Sequence, residues 1–247
     1  MDNGYIAILD SGIGGFSCLI EAVKLLPNER FLYFGDNANA PYGNKSIKEL
    51  YSLTQRNLDE ILKHDVKAVI CACNTLSTSV LPLMKESYLV PIFGVYPPVN
   101  EMRGRTLLFA TPITCARYRS VKGLSLFPLK DLAADIERNK FDLSKVDIKR
   151  HVGGYVASSR TGYTDTLILG CTHYFFVKNQ FINHFCPQKT ISGEEHTVKN
   201  LYTALKLNKI LSNREQFTVD FIGNNAEENY NFYTSVVKNI LLNQQKN

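Results

Sequence analysis

Two cysteines of this chain, Cys73 and Cys171, each come at the end of an apolar segment that is typical of a buried strand. Side chains that can donate hydrogen bonds follow both of them: Asn74, Thr75, Thr172 and His173. A single buried cysteine is commonly a small core residue, and we interpret the other four cysteines in this way. These four are Cys18, Cys71, Cys115 and Cys186. A pair in matching surroundings instead predicts two thiols that face one ligand.

A pair of thiols suits the removal of a proton from a carbon next to a carboxylate. The thiolate is a polarisable base whose ordinary pKa, about 8.5, neighbouring charges can shift. One base alone would return the proton to the face it came from, whereas a second thiol on the opposite face delivers a proton with inversion. Cys73 and Cys171 therefore predict a two-base racemase that needs no imine-forming cofactor.

Two further groups lie where they can adjust the thiols. Asp10 ends the first apolar segment, which we expect beside the strand of Cys73, and His173 comes two residues after Cys171. Each has a structural alternative, because an aspartate at this place can cap a helix and a lone histidine is commonly a core group. The amide and hydroxyl groups after the cysteines can likewise bind carboxylates or cap helices.

The segments that must position these groups alternate between strand-like and helix-like patterns, which predicts an α/β fold with parallel sheets. Near-continuous apolar strands indicate helices on both faces of each sheet. Ligands collect at the carboxyl ends of such strands, where the polar clusters named above are expected to lie. The predicted strands are 5–11, 31–36, 67–74, 90–95, 105–111, 124–129, 166–172, 189–193 and 217–224.

The chain has the signs of an internal duplication. One predicted strand ends at Asp10 and another ends at Thr111. The interval from Asp10 to Cys73 is nearly the same as the interval from Thr111 to Cys171. We therefore predict two similar lobes, each a mostly parallel sheet flanked by helices. The segment 95–105, rich in proline and polar residues, is the predicted crossing between them. The predicted first lobe comprises residues 1–96 plus 211–247, and the second comprises residues 97–210.

The glycine-rich turn DSGIGG at residues 10–15 can bind an anion through its backbone N–H groups. It lacks the GxGxxG spacing of a dinucleotide site and the lysine of a Walker motif. Its acidic residue precedes the glycines, where it would repel a pyrophosphate. These features favour the carboxylate of an amino acid over a nucleotide as the ligand.

The composition argues against several other classes of protein. Of the 247 residues, 45% are hydrophobic and 21% are charged, with a net charge of +5, which is ordinary for a globular enzyme. The basic residues are scattered, so we predict no nucleic-acid partner. We see no apolar run long enough to cross a membrane and no secretory leader, and we predict a cytoplasmic location with no membrane partner. Six cysteines without a CxxC pair indicate free thiols and no metal site.

Five motifs, in this order, resemble those of glutamate racemases in the aspartate/glutamate racemase superfamily. They run through nearly the whole chain: IAILDSGIGG (6–15), YFGDNANAPYGNKS (33–46), CACNTLS (71–77), LILGCTHY (167–174) and ISGEEHTVKNL (191–201). The resemblance implies two α/β lobes related by pseudo-twofold symmetry and a homodimer. It also implies interconversion of L- and D-glutamate without pyridoxal phosphate or metal. It also implies that the D-glutamate supplies peptidoglycan synthesis.

The resemblance also implies roles for single residues. Cys73 and Cys171 are the implied acid–base pair. The residues implied for substrate binding are Asp10, Ser11, Tyr42, Gly43, Asn74, Thr75, Thr172 and His173. An acidic residue that assists Cys171 is expected in the segment FPLKDLAADIERN, where we predict Glu137, with Asp135 as the alternative.

Three departures from the family pattern leave the substrate open. Ala110 and Phe175 stand where the family often has glycine and proline, and the segment before Glu137 is less apolar than usual. Aspartate is one methylene shorter than glutamate, a difference of only about 1–3 kcal/mol in a pocket, so a racemase of aspartate or another amino acid is an alternative. A non-catalytic amino-acid-binding protein and a hydrolase that uses one thiol with a histidine are also compatible with these motifs.

Overall fold

Within residues 4–156 and 164–244, which the computed structural model describes, nine strands form two sheets in which all strand pairings are parallel. Each strand overlaps one predicted segment, and the predicted α/β fold with two lobes is confirmed. The strands are β1 (Tyr5–Asp10), β2 (Arg30–Gly35), β3 (Val66–Cys71), β4 (Ile92–Gly94), β5 (Thr106–Ala110), β6 (Leu124–Pro128), β7 (Thr166–Gly170), β8 (Lys189–Ser192) and β9 (Thr218–Phe221).

Helices cover both faces of each sheet because the strands are apolar on both sides. The helices are α1 (Phe16–Leu25), α2 (Ile47–Ile61), α3 (Asn74–Ser79), α4 (Leu81–Met84), α5 (Pro112–Arg117), α6 (Leu132–Arg138), α7 (Ile148–Val156), α8 (Lys178–Phe185), α9 (Glu194–Leu207), α10 (Ala226–Phe232) and α11 (Lys238–Gln244). Along β1, Ile6 and Ile8 join the apolar cluster that contains α1, whereas Ala7 and Leu9 join the cluster that contains α2. None of the described helices is both long enough and apolar enough to span a membrane.

The two sheets repeat one strand order. The first sheet is ordered β4-β3-β1-β2-β9, and the second, read from its opposite edge, is ordered β8-β7-β5-β6. β1 therefore corresponds to β5, and β3 corresponds to β7. As a result, the ends of β1 and β3, which lead to Asp10 and Cys73, are equivalent to the ends of β5 and β7, which lead to Thr111 and Cys171.

The chain crosses between the sheets after β4 and returns between α9 and β9, which pairs with β2. A buried ion pair between Glu29 Oε2 and Lys67 Nζ, 2.6 Å long, lies where the chain returns. Lys67 also donates to the carbonyl of Ile210 at 2.8 Å, and the backbone N–H of Ser212 donates to Glu29 at 2.9 Å. These contacts fasten the returning segment to the first sheet. The lobe boundaries at residues 96 and 210 stay a prediction.

The two lobes share one continuous apolar core, which fixes how their strand ends face each other. Phe16 of α1 contacts Phe232 of α10 with ring centres 5.5 Å apart, and Phe232 in turn contacts Phe176, which follows β7. α1 also packs against α9. Cys171 belongs to this shared core, and so does Ala72, the residue before Cys73.

Candidate active site

Cys73 and Cys171 follow equivalent strands of the two sheets, and both are buried, with 6% and 7% of their surface exposed. Sequence patterning extended the third strand to residue 74, but β3 ends at Cys71 because the chain turns into α3, whose N-cap residue is Cys73. Cys171 directly follows β7 and precedes the 3₁₀ turn Thr172–Val177. Both thiols therefore lie on the short connections at the carboxyl ends of parallel strands, where ligands are expected.

The Cys73 thiol lies among the strand ends of the first sheet, with its Sγ 4.0 Å from Ser11 Oγ. Burial raises the pKa of the thiol well above its ordinary value, and the charges of Asp10, Cys71 and Cys171 raise it further. Cys73 is therefore a protonated thiol at neutral pH.

Asp10 is fully buried at the end of β1 and leaves one carboxylate oxygen uncommitted. The backbone N–H of Gly12 donates to its Oδ2 at 3.0 Å, while its Oδ1 has no hydrogen-bond partner among the described residues. Burial raises the pKa of Asp10, and the charge of His173 and the bond from Gly12 oppose this effect in part. Asp10 thus bonds within the glycine-rich turn, and α1 begins only at Phe16.

His173 links Cys171 to a carboxylate. Its Nδ1 lies 3.9 Å from Cys171 Sγ, and its Nε2 lies 2.7 Å from Glu137 Oε1. Burial disfavours the charged ring, but the hydrogen bonds with Cys171 and Glu137 outweigh it and raise the pKa of His173 well above its ordinary value. Burial also raises the pKa of Glu137, but its bond and charge interaction with His173 outweigh this and leave the pKa lowered. The two side chains therefore form an imidazolium–carboxylate pair at neutral pH.

The two acidic residues predicted as alternatives in α6 have different partners. Glu137 contacts His173, whereas Asp135 Oδ2 lies 3.1 Å from His151 Nε2 and its Oδ1 lies 3.3 Å from Arg138. Two residues along a helix point to different sides, so only one of the pair can face the thiol. Of the two, the geometry favours Glu137.

Glu137 also reaches the other lobe, a contact that the sequence did not predict. The backbone N–H of Ile13 donates to Glu137 Oε1 at 2.7 Å. The hydroxyl of Tyr33 donates to the carbonyl of Gly12 at 2.7 Å, a second hydrogen bond that holds the same turn. One N–H donor of the glycine-rich turn, predicted from the sequence to bind a ligand carboxylate, therefore binds a carboxylate of the protein itself.

The turn leaves no room for a side chain at Gly12, and this gives a testable prediction. A Cβ at Gly12 would lie 1.7 Å from Glu137 Oε1, so Gly12→Ala is expected to push the carboxylate away from His173. We expect the pKa of His173, measured by NMR titration of its ring, to fall towards the ordinary histidine value. Gly153→Ala is the control, because no atom of the residues that the structure describes lies within 4 Å of a Cβ at Gly153. An unchanged pKa in folded Gly12→Ala protein would contradict the contact.

Tyr42 lies beside the site, but its hydroxyl is already bonded within the protein. The hydroxyl donates to Asp36 Oδ2 at 2.5 Å and accepts from Asn57 Nδ2 at 2.9 Å, and the side chain is 1% exposed. Burial and the charge of Asp36 raise the pKa of Tyr42. The Tyr42 hydroxyl is therefore already committed to Asp36 and Asn57.

The remaining predicted ligand contacts gather at the junction of the lobes. Thr75 Oγ1 lies 2.9 Å from Thr111 Oγ1, which joins α3 to the end of β5. A Cβ at Gly43 would also meet Thr111, at 2.9 Å. The amide of Asn74 donates to the carbonyl of Val95 at 3.1 Å. Thr111 is not among the site residues predicted from the sequence, although the duplication marks it as the equivalent of Asp10.

Thr172 and His173 pack directly on the glycine-rich turn of the other lobe. A Cβ at Gly14 would lie 2.4 Å from His173 Nδ1 and 2.6 Å from Thr172 Oγ1. Among the described residues, no group of three or more His, Cys, Asp or Glu side chains could hold a metal ion. All six cysteines are free thiols. The site thus consists of two buried thiols, each with its own carboxyl or imidazole partner.

Comparison with curated proteins finds relatives along most of the chain. A glutamate racemase of Clostridium acetobutylicum is 34% identical over 239 residues, which cover 85% of this chain and 87% of the relative. A glutamate racemase of Clostridium botulinum strain Kyoto is 32% identical over 243 residues, which cover 90% of this chain and 92% of the relative. No family model matches the sequence.

Solved structures with the same fold include two complexes. Glutamate racemase from Thermus thermophilus in complex with β-chloro-D-alanine aligns with a TM-score of 0.76 and 28% identity, covering 95% of this chain and 93% of that one. Glutamate racemase from Francisella tularensis in complex with D-glutamate aligns with a TM-score of 0.76 and 25% identity, covering 95% of both chains.

Proposed function

The chain belongs to the glutamate racemase family, whose members are amino-acid isomerases, and from this premise we propose that it interconverts L- and D-glutamate by a two-base mechanism. The observation that carries the proposal is the pair of buried thiols at equivalent strand ends, each with a different partner. Cys73 has Ser11 and the charge of Asp10 beside it, whereas Cys171 has His173. Two thiols in two different protonation environments can act as one acid and one base.

The proton transfers balance without any co-reactant. In one form of the proposed cycle, Cys171 is the thiolate that lies beside His173, and Cys73 holds its proton. The thiolate of Cys171 takes the proton from Cα of the enantiomer that faces it, and the electron pair of the broken C–H bond moves into the α-carboxylate. Cys73 then gives its proton to the opposite face of Cα. The product is the other enantiomer, and the thiolate is now at Cys73.

The reverse reaction starts from that second form. Asp10, whose pKa burial raises, can hold a proton beside Cys73 and so reduce the negative charge that a Cys73 thiolate must face. On the other side, Glu137 keeps His173 charged and correctly turned towards Cys171. Each thiol thus has one titratable partner that helps it to change protonation state.

The substrate is proposed to bind between the thiols through the polar groups at the strand ends. The hydroxyls of Ser11, Thr75 and Thr172 and the amide of Asn74 are buried there and can donate to the two carboxylates of glutamate. Tyr42 and Gly43 are proposed to contribute backbone N–H groups, since the Tyr42 hydroxyl is bonded to Asp36.

Aspartate or another amino acid remains the alternative substrate, and a non-catalytic binding protein remains the alternative function. Relatives named glutamate racemase and a related structure in complex with D-glutamate support glutamate. Six free thiols support the reducing cytoplasm as its location. A homodimer and a role in supplying D-glutamate for peptidoglycan are proposed from the family resemblance.

The test is to incubate the protein with L- or D-glutamate in D2O without pyridoxal phosphate, following optical rotation and the Cα proton by NMR. We expect racemisation accompanied by deuterium incorporation at Cα. Aspartate serves as the comparison substrate. Exchange with aspartate but not with glutamate would overturn glutamate as the substrate and keep the two-base mechanism. Binding of glutamate without exchange of any amino acid would overturn the two-base mechanism.

A further inference from the structure

Lys140 occupies an unusual position for a lysine, because it lies just beyond the end of α6 with only 12% of its side chain exposed. Its Nζ is 3.7 Å from Glu137 Oε2 and 2.7 Å from Glu228 Oε1. It also donates to the backbone carbonyl of Glu137 at 3.3 Å. A cation this deeply enclosed depends on its carboxylate partners, and these partners depend on the cation.

The two oxygens of Glu137 have separate partners. Oε1 accepts from His173 and from the backbone N–H of Ile13, whereas Oε2 faces Lys140. The terminal torsion of a glutamate side chain has broad, shallow preferences, so the carboxylate needs a partner on each oxygen to keep one orientation. Lys140 supplies the partner that keeps Oε1 turned towards His173.

The second partner of Lys140 belongs to the other lobe. Glu228 lies on α10, which follows β9 of the first sheet. Its Oε2 accepts from Asn37 at 3.2 Å and from Asn225 at 3.3 Å. Lys140 therefore joins a carboxylate held by the first lobe to the carboxylate that orders His173 in the second. The charges alternate in sign along this series of side chains: Glu228, Lys140, Glu137 and His173.

A cavity of about 400 Å³ borders this contact and is lined by Asn37, Pro41, Glu137, Lys140 and Glu228 among others. Without the ammonium group, the two carboxylates would face this space as like charges, with water as the only replacement partner. Glu137 would then be free to turn away from His173.

We propose that Lys140 is a positioning residue for proton transfer at Cys171, because it orients Glu137, and that Glu228 of the first lobe holds Lys140 in position. This inference rests on the proposed two-base function. It concerns the Cys171 side because Glu137 bonds His173, which lies beside Cys171, whereas the hydroxyl beside Cys73 is that of Ser11.

The test uses primary deuterium isotope effects, because they report each thiol separately. L- and D-glutamate have equal free energies, so kcat/KM for the two must stay equal in every variant. With Cα-deuterated substrate, however, the isotope effect on kcat/KM grows for the enantiomer whose proton Cys171 removes, if the Cys171 step becomes slower. It shrinks for the other enantiomer, because transfer to Cys73 then limits the rate less.

For Lys140→Met we expect kcat/KM to fall about tenfold, the equivalent of the net free energy of one charge-assisted hydrogen bond. The two isotope effects should move in opposite directions. Lys140→Arg should restore kcat/KM and the two isotope effects, since it keeps the positive charge. Glu228→Gln should give a smaller change of the same kind. Lys145→Met is the control, because Lys145 is 67% exposed and pairs with Asp142.

Isotope effects that stay fixed or move together in folded Lys140→Met protein would show a merely structural role and overturn the inference. If Lys140→Met does not fold, Glu228→Gln decides by the same criterion. Failure of the proposed function would look different, because the unaltered protein would then not racemise glutamate.

Discussion

Replacing Cys171 with serine is expected to lower kcat/KM for L- and D-glutamate by the same factor, about 10²–10⁴-fold. A serine hydroxyl is a far weaker acid than a thiol and cannot supply the anion that removes the Cα proton. The factor must be equal for both enantiomers because both directions of the reaction pass through the same transition states. Cys73→Ser is expected to have an effect of the same size.

The two serine variants should differ in D2O. Each keeps one thiol, which can remove a proton from its own face of Cα and return deuterium to that face. We therefore expect slow exchange without inversion for one enantiomer in Cys171→Ser and for the opposite enantiomer in Cys73→Ser, measured by NMR. Cys186→Ser is the control, because Cys186 is exposed and outside the site. Racemisation at the normal rate in either variant would contradict the two-base mechanism and favour chemistry with a single thiol.

Asp10→Asn and His173→Asn are expected to lower kcat/KM by about 10²-fold each, since each removes the titratable partner of one thiol. In Asp10→Asn the carboxamide can still accept from Gly12, so the glycine-rich turn keeps its bond while the titratable carboxyl group is lost. In His173→Asn the imidazolium and its pair with Glu137 are lost. The primary isotope effects should therefore shift in opposite senses, with Asp10→Asn slowing the Cys73 step and His173→Asn slowing the Cys171 step.

The controls for these variants are exposed residues of the same types. Asp142→Asn and His196→Asn remove side chains that are half exposed and paired at the surface, and we expect both to leave kcat/KM unchanged. Urea unfolding curves of all four variants separate loss of activity from loss of structure. Isotope effects that respond alike to Asp10→Asn and His173→Asn would show that neither group belongs to one thiol.

The isotope measurements also separate the effect of His173, which lies beside Cys171, from the effect of the more distant Lys140. His173 touches the sulfur, whereas Lys140 acts only through Glu137. Both variants should therefore slow the same step, but the effect of His173→Asn should be larger. Equal effects would indicate that the ordering of Glu137 accounts for the whole contribution of His173.

Local patterns in the chain determined much of the architecture. Apolar runs of strand length, separated by amphipathic stretches, indicated all nine strands of the described residues, because a strand covered on both faces must be apolar along its length. The similar spacing of Asp10 to Cys73 and of Thr111 to Cys171 indicated two lobes, which the repeated strand order confirms. The same patterns singled out the two cysteines, since polar residues directly after buried strands mark ligand-facing ends.

Only the tertiary structure decided which polar groups meet. Glu137 rather than Asp135 contacts His173, the Ile13 N–H binds Glu137, and Lys140 pairs with Glu228. The Tyr42 hydroxyl, similarly, is bonded to Asp36 and Asn57. The bonds across the lobes join side chains far apart in sequence. They depend on the packing of two lobes over a shared core, and no local periodicity carries that information.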